Sequence, residues 1–270
     1  MRAAIEKLSV APPGVPDPRV EKSGSFRELF AGSGGVTGFL SHRGDADSAA
    51  FEAYPAASDD SGLKAPEYRA EHDLLFPMVV LSLLVDIYRR AITRLHLGPP
   101  CQTWGLLFQN LGPGTRTDAQ WAGDCSDERE TRGNRTMGVA ILLPRAIWEI
   151  YGTASFEHSL TTRIWKLRSV RAILGLPGCR KVRIDQCMYG LRPGDDVGGS
   201  KRYLKPTGLL LCGSAPFDTR LRDHSHEHTQ IIGSYRHIDG QGKSATIQRS
   251  HEAGAYPPAL CSCLGVFHAK

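Results

Sequence analysis

No stretch of this 270-residue chain stays apolar long enough to cross a bilayer. The most apolar run, residues 76–84, soon meets Asp86, Arg89 and Arg90, which excludes a membrane-spanning helix there and points away from a membrane partner. The opening residues, MRAAIEKLSVAPPGVPDP, lack the apolar core of a secretory signal and turn proline-rich after Ala11, so residues 1–24 read as a flexible leader. Cysteine is sparse and odd in number. The seven lie mostly far apart at Cys101, Cys125, Cys179, Cys187, Cys212, Cys261 and Cys263, which excludes a disulfide framework and places the chain in a reducing intracellular compartment, nucleus or cytoplasm. Charge of one sign is also scarce: the net +5 and pI near 8.8 describe an ordinary surface.

What is present is enough for one core. With 41% apolar residues, residues 25–270 suit a single domain. Basic residues gather locally, with Arg163, Lys166, Arg168, Arg171, Arg180, Lys181 and Arg183 unopposed by any acid, followed by Lys201, Arg202 and Lys205. Such a stretch reads either as a footing for a polyanion such as nucleic acid or as a solvated face.

From Ser25 the pattern becomes that of a fold. A short strand over 26–30 leads into the glycine-rich turn Ala31-Gly32-Ser33-Gly34-Gly35 and a helix-like segment over 36–40. Strand, glycine turn and helix form the opening unit of a nucleotide-type fold, where glycines let backbone approach a ligand at a helix N-terminus. The next strand, 48–51, ends on Glu52, about twenty residues past the turn, a spacing that suits an acid bonded to ribose hydroxyls. Asp73 reads two ways, against the adenine side of a cofactor or as the cap of a helix over 77–91. Further strands at 95–97, 154–156, 181–187 and 208–212 alternate with helical segments, which predicts an α/β class with a doubly wound, mostly parallel, Rossmann-like sheet.

Cys101 occupies the end of one of these strands, in Gly98-Pro99-Pro100-Cys101-Gln102-Thr103-Trp104. Prolines stop the strand and hold a thiol at its carboxyl end, the edge where such sheets bind ligands. The thiol reads as a nucleophile or as a half-buried turn residue. Residues 104–135 are long, polar and without an apolar face, and read as a mobile active-site loop, with a helix following from about Thr136. Glu157-His158 closes the next strand on the same edge. Near the end, His224, His226 and His228 resemble metal ligands that Cys212, Cys261 and Cys263 would complete, or a polar strand edge; no metal is assigned from this spacing.

Taken together, ELFAGSGG at 28–35, GPPCQTWG at 98–105 and FEHSLTTRIW at 156–165 resemble, in order and spacing, three motifs of the DNA (cytosine-5)-methyltransferase family, and the similarity extends from Phe26 to Leu264. The resemblance implies a Rossmann-like methyltransferase fold that takes S-adenosyl-L-methionine as cofactor. It implies a Cys101 thiolate adding to C6 of a flipped cytosine while Glu157 holds N3, with Arg116, Arg129, Arg132 and Arg135 of the loop closing over the base. Phe30, Ala31, Gly32, Gly34, Gly35, Glu52, Asp73 and Pro100 would line the cofactor pocket.

The departures from the family are equally specific. His158 stands where Asn is usual, Lys205 is the nearest substitute for an arginine that meets the base, and Gly254 of AGAYPPAL stands at an asparagine position. Residues 214–253 are a reduced remnant in place of a target recognition domain. That shortening resembles compact family-like proteins of viruses and mobile elements. It leaves three readings: a DNA enzyme, with or without a protein partner that supplies recognition; an RNA cytosine-5 methyltransferase; and a catalytically inactive module that binds nucleic acid or cofactor.

Overall fold

A computed structural model describes residues 24–31, 34–52, 69–105, 109, 112–196, 198–219, 225–229, 231, 234–238, 244–248 and 253–269. Residues 1–23 of the leader, Gly32 and His224 lie outside the described residues. Six strands form the central sheet: β1 (Ser25–Leu29), β2 (Ala49–Phe51), β3 (Ile92–Leu97), β4 (Thr153–Ser159), β5 (Cys179–Asp185) and β7 (Pro206–Cys212), in the order β2-β1-β3-β4-β7-β5. Strands β2, β1, β3 and β4 run parallel; β7 is antiparallel to both of its neighbours. The fold is therefore α/β with a mixed, mostly parallel sheet, and helices cover both faces.

Alternation along the strands sorts the two faces. Leu95 and Leu97 of β3, Phe156 of β4 and Leu210 of β7 pack with α2 (Pro77–Tyr88), α3 (Glu128–Glu149) and α4 (Arg168–Leu174). Phe26 of β1 and Leu209 and Leu211 of β7 pack with α1 (Gly35–His42) and α5 (Pro258–His268) on the other face. Beyond the sheet, β6 (Lys201–Tyr203) pairs with β8 (Glu227–Thr229), and β9 (Ser234–Ile238) pairs with β10 (Ser244–Gln248). No described helix is long and apolar enough to cross a membrane.

Two expectations change. Helix α3 begins at Glu128 rather than near Thr136, because Asp127 caps it, its carboxylate accepting the Arg129 N–H, and because Glu128 and Glu130 suit the positive end of the helix. Asp73 does not cap α2: its side chain accepts the Leu75 N–H within the preceding turn, and α2 starts on Pro77 with no side-chain cap.

Within the described part of the 104–135 segment, Arg116 is buried. Its guanidinium donates to the carbonyls of Thr103, Trp121 and Glu130 and to Asn134 Oδ1, and it lies 3.8 Å over the Trp104 ring. The Glu130 carboxylate, fully buried, sits 3.9 Å away and accepts from Thr115. Arg116 thus pins the loop to α3 rather than reaching toward a base. Arg116→Met leaves that carboxylate and these carbonyls without their cation, and is expected to lower stability by about 3–5 kcal/mol. The denaturation midpoint checks this, and an unchanged midpoint would show that the loop is peripheral to the fold.

Candidate active site

The sheet changes its direction of winding between β1 and β3, since the chain moves outward to β2 and then returns to the other side of β1. At such a point the connections diverge and leave a crevice at the carboxyl edge. The register aligns that edge residue by residue: Phe51, Leu29, Leu97 and Phe156 are paired across the four parallel strands. The next residue on each strand is Glu52, Phe30, Gly98 and Glu157. Residues predicted for cofactor binding and catalysis therefore share one row, with Pro100 and Cys101 three and four positions past the row's partner Leu97.

Backbone bonds close the row. Gly98 N–H donates to Leu29 O at 3.2 Å, Ala31 N–H to Phe51 O at 3.2 Å, and Gly34 N–H to Ala31 O at 2.7 Å. Phe30 has φ 55° and Gly34 φ 66°, so both adopt left-handed backbone, Phe30 being a residue that does not favour it. Gly34 opens into α1 at Gly35. The helix N-terminus is already occupied: the buried carboxylate of Glu28 accepts the Val36 and Thr37 N–H groups at 3.4 and 2.7 Å. Burial raises the pKa of Glu28, and these bonds partly offset it. The glycine turn was read as a place where ligand meets helix N–H groups; here an internal acid takes them. Asp73 adjoins the row through His72, whose ring packs 4.7 Å from that of Phe51.

Glu157 is buried and drawn on from three sides. Gln186 Nε2 donates to Oε1 at 3.4 Å, the Tyr256 hydroxyl donates to Oε2 at 3.4 Å, and Lys205 Nζ lies 4.0 Å from Oε1. Lys205 is itself anchored on the Ala253 carbonyl at 3.0 Å. Tyr256 is held from behind: its oxygen is 3.2 Å from His96 Nε2, His96 Nδ1 is 2.7 Å from Ser155 Oγ, and Ser155 is 2.7 Å from His268 Nε2. Burial pushes His96 down to about 3 and His268 well below its usual range, so both rings are neutral at pH 7. A side chain at Gly98 would collide with the Tyr256 hydroxyl, so this position needs glycine. His158 faces away from Glu157, as strand alternation requires. It is buried, 2.9 Å from Thr162 Oγ1, and held down at about 3 by burial.

Cys101 is open to solvent, yet the protein packed around its thiol raises its pKa; the Glu157 charge raises it further and Lys205 opposes both. Glu157 and Lys205 therefore act on the thiol in opposite senses. Tyr256, Gln186, His96 and Glu28 were not singled out by sequence. Only Glu28 had a signal, an acid closing the strand before a glycine turn. The basic stretch is partly spent internally: Arg163 and Lys166 both bind Asp118, Arg180 donates to Gly213 O and Ala215 O, and Lys181 lies 4.2 Å over the Trp165 ring. A cleft of about 370 Å³ lined in part by Leu75, Cys125, Arg132 and Arg135 includes none of Cys101, Glu157 and Lys205. None of the seven cysteines is in a disulfide.

No protein-family model matches the chain, and no curated protein matches it.

The electrostatic coupling has a signed consequence. Glu157→Gln removes a charge that disfavours the Cys101 thiolate and is expected to shift its alkylation profile to lower pH. Lys205→Met removes a charge that favours it and shifts the profile upward, each by up to about one pH unit. Iodoacetamide labelling read on the Cys101 peptide by mass spectrometry checks the signs, and unmoved profiles in both variants would separate the three groups.

Proposed function

We propose that the chain is an S-adenosylmethionine-dependent methyltransferase, of Rossmann-like methyltransferase fold, that modifies C5 of cytosine in DNA. One observation carries the reading: Cys101 follows β3 and Glu157 lies near the carboxyl end of the adjacent parallel strand β4, at the edge beside the β1 turn, with Lys205 next to the carboxylate. The resemblance of the segments at 28–35, 98–105 and 156–165 to the cytosine-5 family supports it from sequence.

The residues at the turn fit this cofactor better than one carried by phosphates. A pyrophosphate needs free N–H groups at a helix N-terminus. Here Glu28 already accepts two of them, and its buried carboxylate favours a cation. Phe30, Ala31, Gly34, Gly35, Glu52, Asp73 and Pro100 would hold the group, with Gly32 outside the described residues. When bound it would supply an electrophilic methyl group.

The chain's own side chains do the rest. Cys101 gives its proton to water as Sγ bonds to C6, and the electron pair of the C5=C6 bond moves to C5; on release the C5 proton leaves to water, the double bond re-forms and Sγ departs from C6. Glu157 takes up a proton as the base enters and donates it to N3, which spreads the charge developing in the ring, while Gln186 and Tyr256 donate to its two oxygens. Lys205 favours the thiolate. A raised thiol suits a nucleophile that ionises only as substrate arrives, and it is also the observation behind a second reading, a module that binds without transferring. With only residues 214–253 where a recognition domain would stand, a protein partner would choose the target.

Labelled methyl transfer to mixed DNA and RNA, followed by base analysis, tests the proposal. The expected product is 5-methylcytosine in DNA, lost in Cys101→Ser and reduced about 100-fold or more in Glu157→Gln. Label in RNA alone would change the polymer. Cofactor binding with no transfer to either would select the silent module.

A further inference from the structure

His226 and His228 have a different partner from the cysteines that the sequence pattern offered. Cys212 lies opposite Cys179 across β5 and β7, and Cys261 Sγ rests 3.8 Å from the Tyr256 carbonyl. His226 and His228 instead meet Cys187. His226 immediately precedes β8 and His228 lies within it. Their ring centroids are 4.7 Å apart and nearly perpendicular. Cys187 is fully buried in the single turn Gln186–Tyr189 that follows β5. The three donor atoms all lie within 4.8 Å of one another.

We propose that Cys187, His226 and His228 form a zinc site that staples β8 to the turn behind Glu157. One thiolate with two imidazoles is a donor set suited to zinc and poorly suited to magnesium or calcium. Zinc bonds of about 2.0–2.3 Å in tetrahedral geometry place donors about 3.3–3.6 Å apart, within reach of side-chain rotation from the separations present. Binding exchanges the Cys187 S–H proton for the Zn–S bond and releases that proton, while both imidazoles bind neutral. The fourth position is left to water or a further donor.

The lobe that carries these residues has reason to need a staple. Strands β6 and β8 are three residues each and, among the described residues, pair with one another, and an isolated two-stranded pair is marginal in water. Among the described residues, Leu191, Tyr203 and Ala253 form a buried apolar cluster beside them, with Ile231 packed against it. Arg202 of β6 donates to the Cys187 carbonyl at 2.8 Å, so both strands already converge on the same turn. Gln186, adjacent to Cys187, bonds Glu157. A metal here would therefore steady one of the three supports of that carboxylate.

The test needs no activity assay. Full-length protein loaded with zinc and desalted is expected to retain close to one ion per chain, by atomic emission. Cobalt(II) in place of zinc should give the visible bands of a tetrahedral site together with a thiolate-to-cobalt charge-transfer band. Cys187→Ser should abolish the charge-transfer band. His228→Asn, at an exposed position that the fold tolerates, should weaken binding by about 100-fold or more, since even groups outside the coordination shell are worth about 10–100-fold. Cys261→Ser and Cys263→Ser should leave stoichiometry and spectrum unchanged. Failure of the loaded protein to retain zinc, or a cobalt spectrum that survives both Cys187→Ser and His228→Asn, would overturn the proposal.

Discussion

A carboxylate is costly to bury, and Glu157 is buried at the carboxyl edge of the sheet. The fold meets that cost with groups from three distant segments: Gln186 after β5, Lys205 ahead of β7, and Tyr256 at the approach to α5. None of these segments is near Glu157 in sequence. Their convergence fixes where the last strands and the C-terminal helix must sit. Tyr256 extends the constraint inward through neutral His96, Ser155 and neutral His268, so a polar chain crosses an otherwise apolar layer with each member bonded to the next.

The other half of the edge is organised by a second buried acid. Glu28 ties the end of β1 to the first turn of α1, which shapes the turn through Phe30 and Gly34 and removes two helix N–H groups from any ligand. Between the two acids lies the divergence of β1 and β3, and Cys101 follows at its rim. A thiol there responds to Glu157 and Lys205 together, so the chemistry we propose depends on the same partners that make the carboxylate tolerable in the interior.

Much of this was legible in the sequence, and the reasons are local. β1, α1, β2 and β3 are marked by apolar runs that stop at glycine or proline, and the row Glu52, Phe30, Gly98 and Glu157 follows from where those runs end. What hydropathy could not reveal was polar burial. The 104–135 segment looked featureless because Arg116, Glu130 and Thr115 satisfy one another inside, and for the same reason the start of α3 was placed late. Tyr256 passed as one aromatic in a proline-rich stretch. The partnership of Cys187 with His226 and His228 joins residues across a lobe whose pairing no periodicity announces.

The account rests on Cys101 as the atom that bonds the substrate, and a covalent trap tests that most directly. DNA carrying 5-fluorocytosine, incubated with the protein and S-adenosylmethionine, blocks release once sulfur has added to C6, because fluorine replaces the proton that must leave. The account predicts a denaturation-resistant protein–DNA adduct that peptide mapping assigns to Cys101 and that is absent from Cys101→Ser. An adduct mapped to another cysteine, or one that persists in Cys101→Ser, would contradict it.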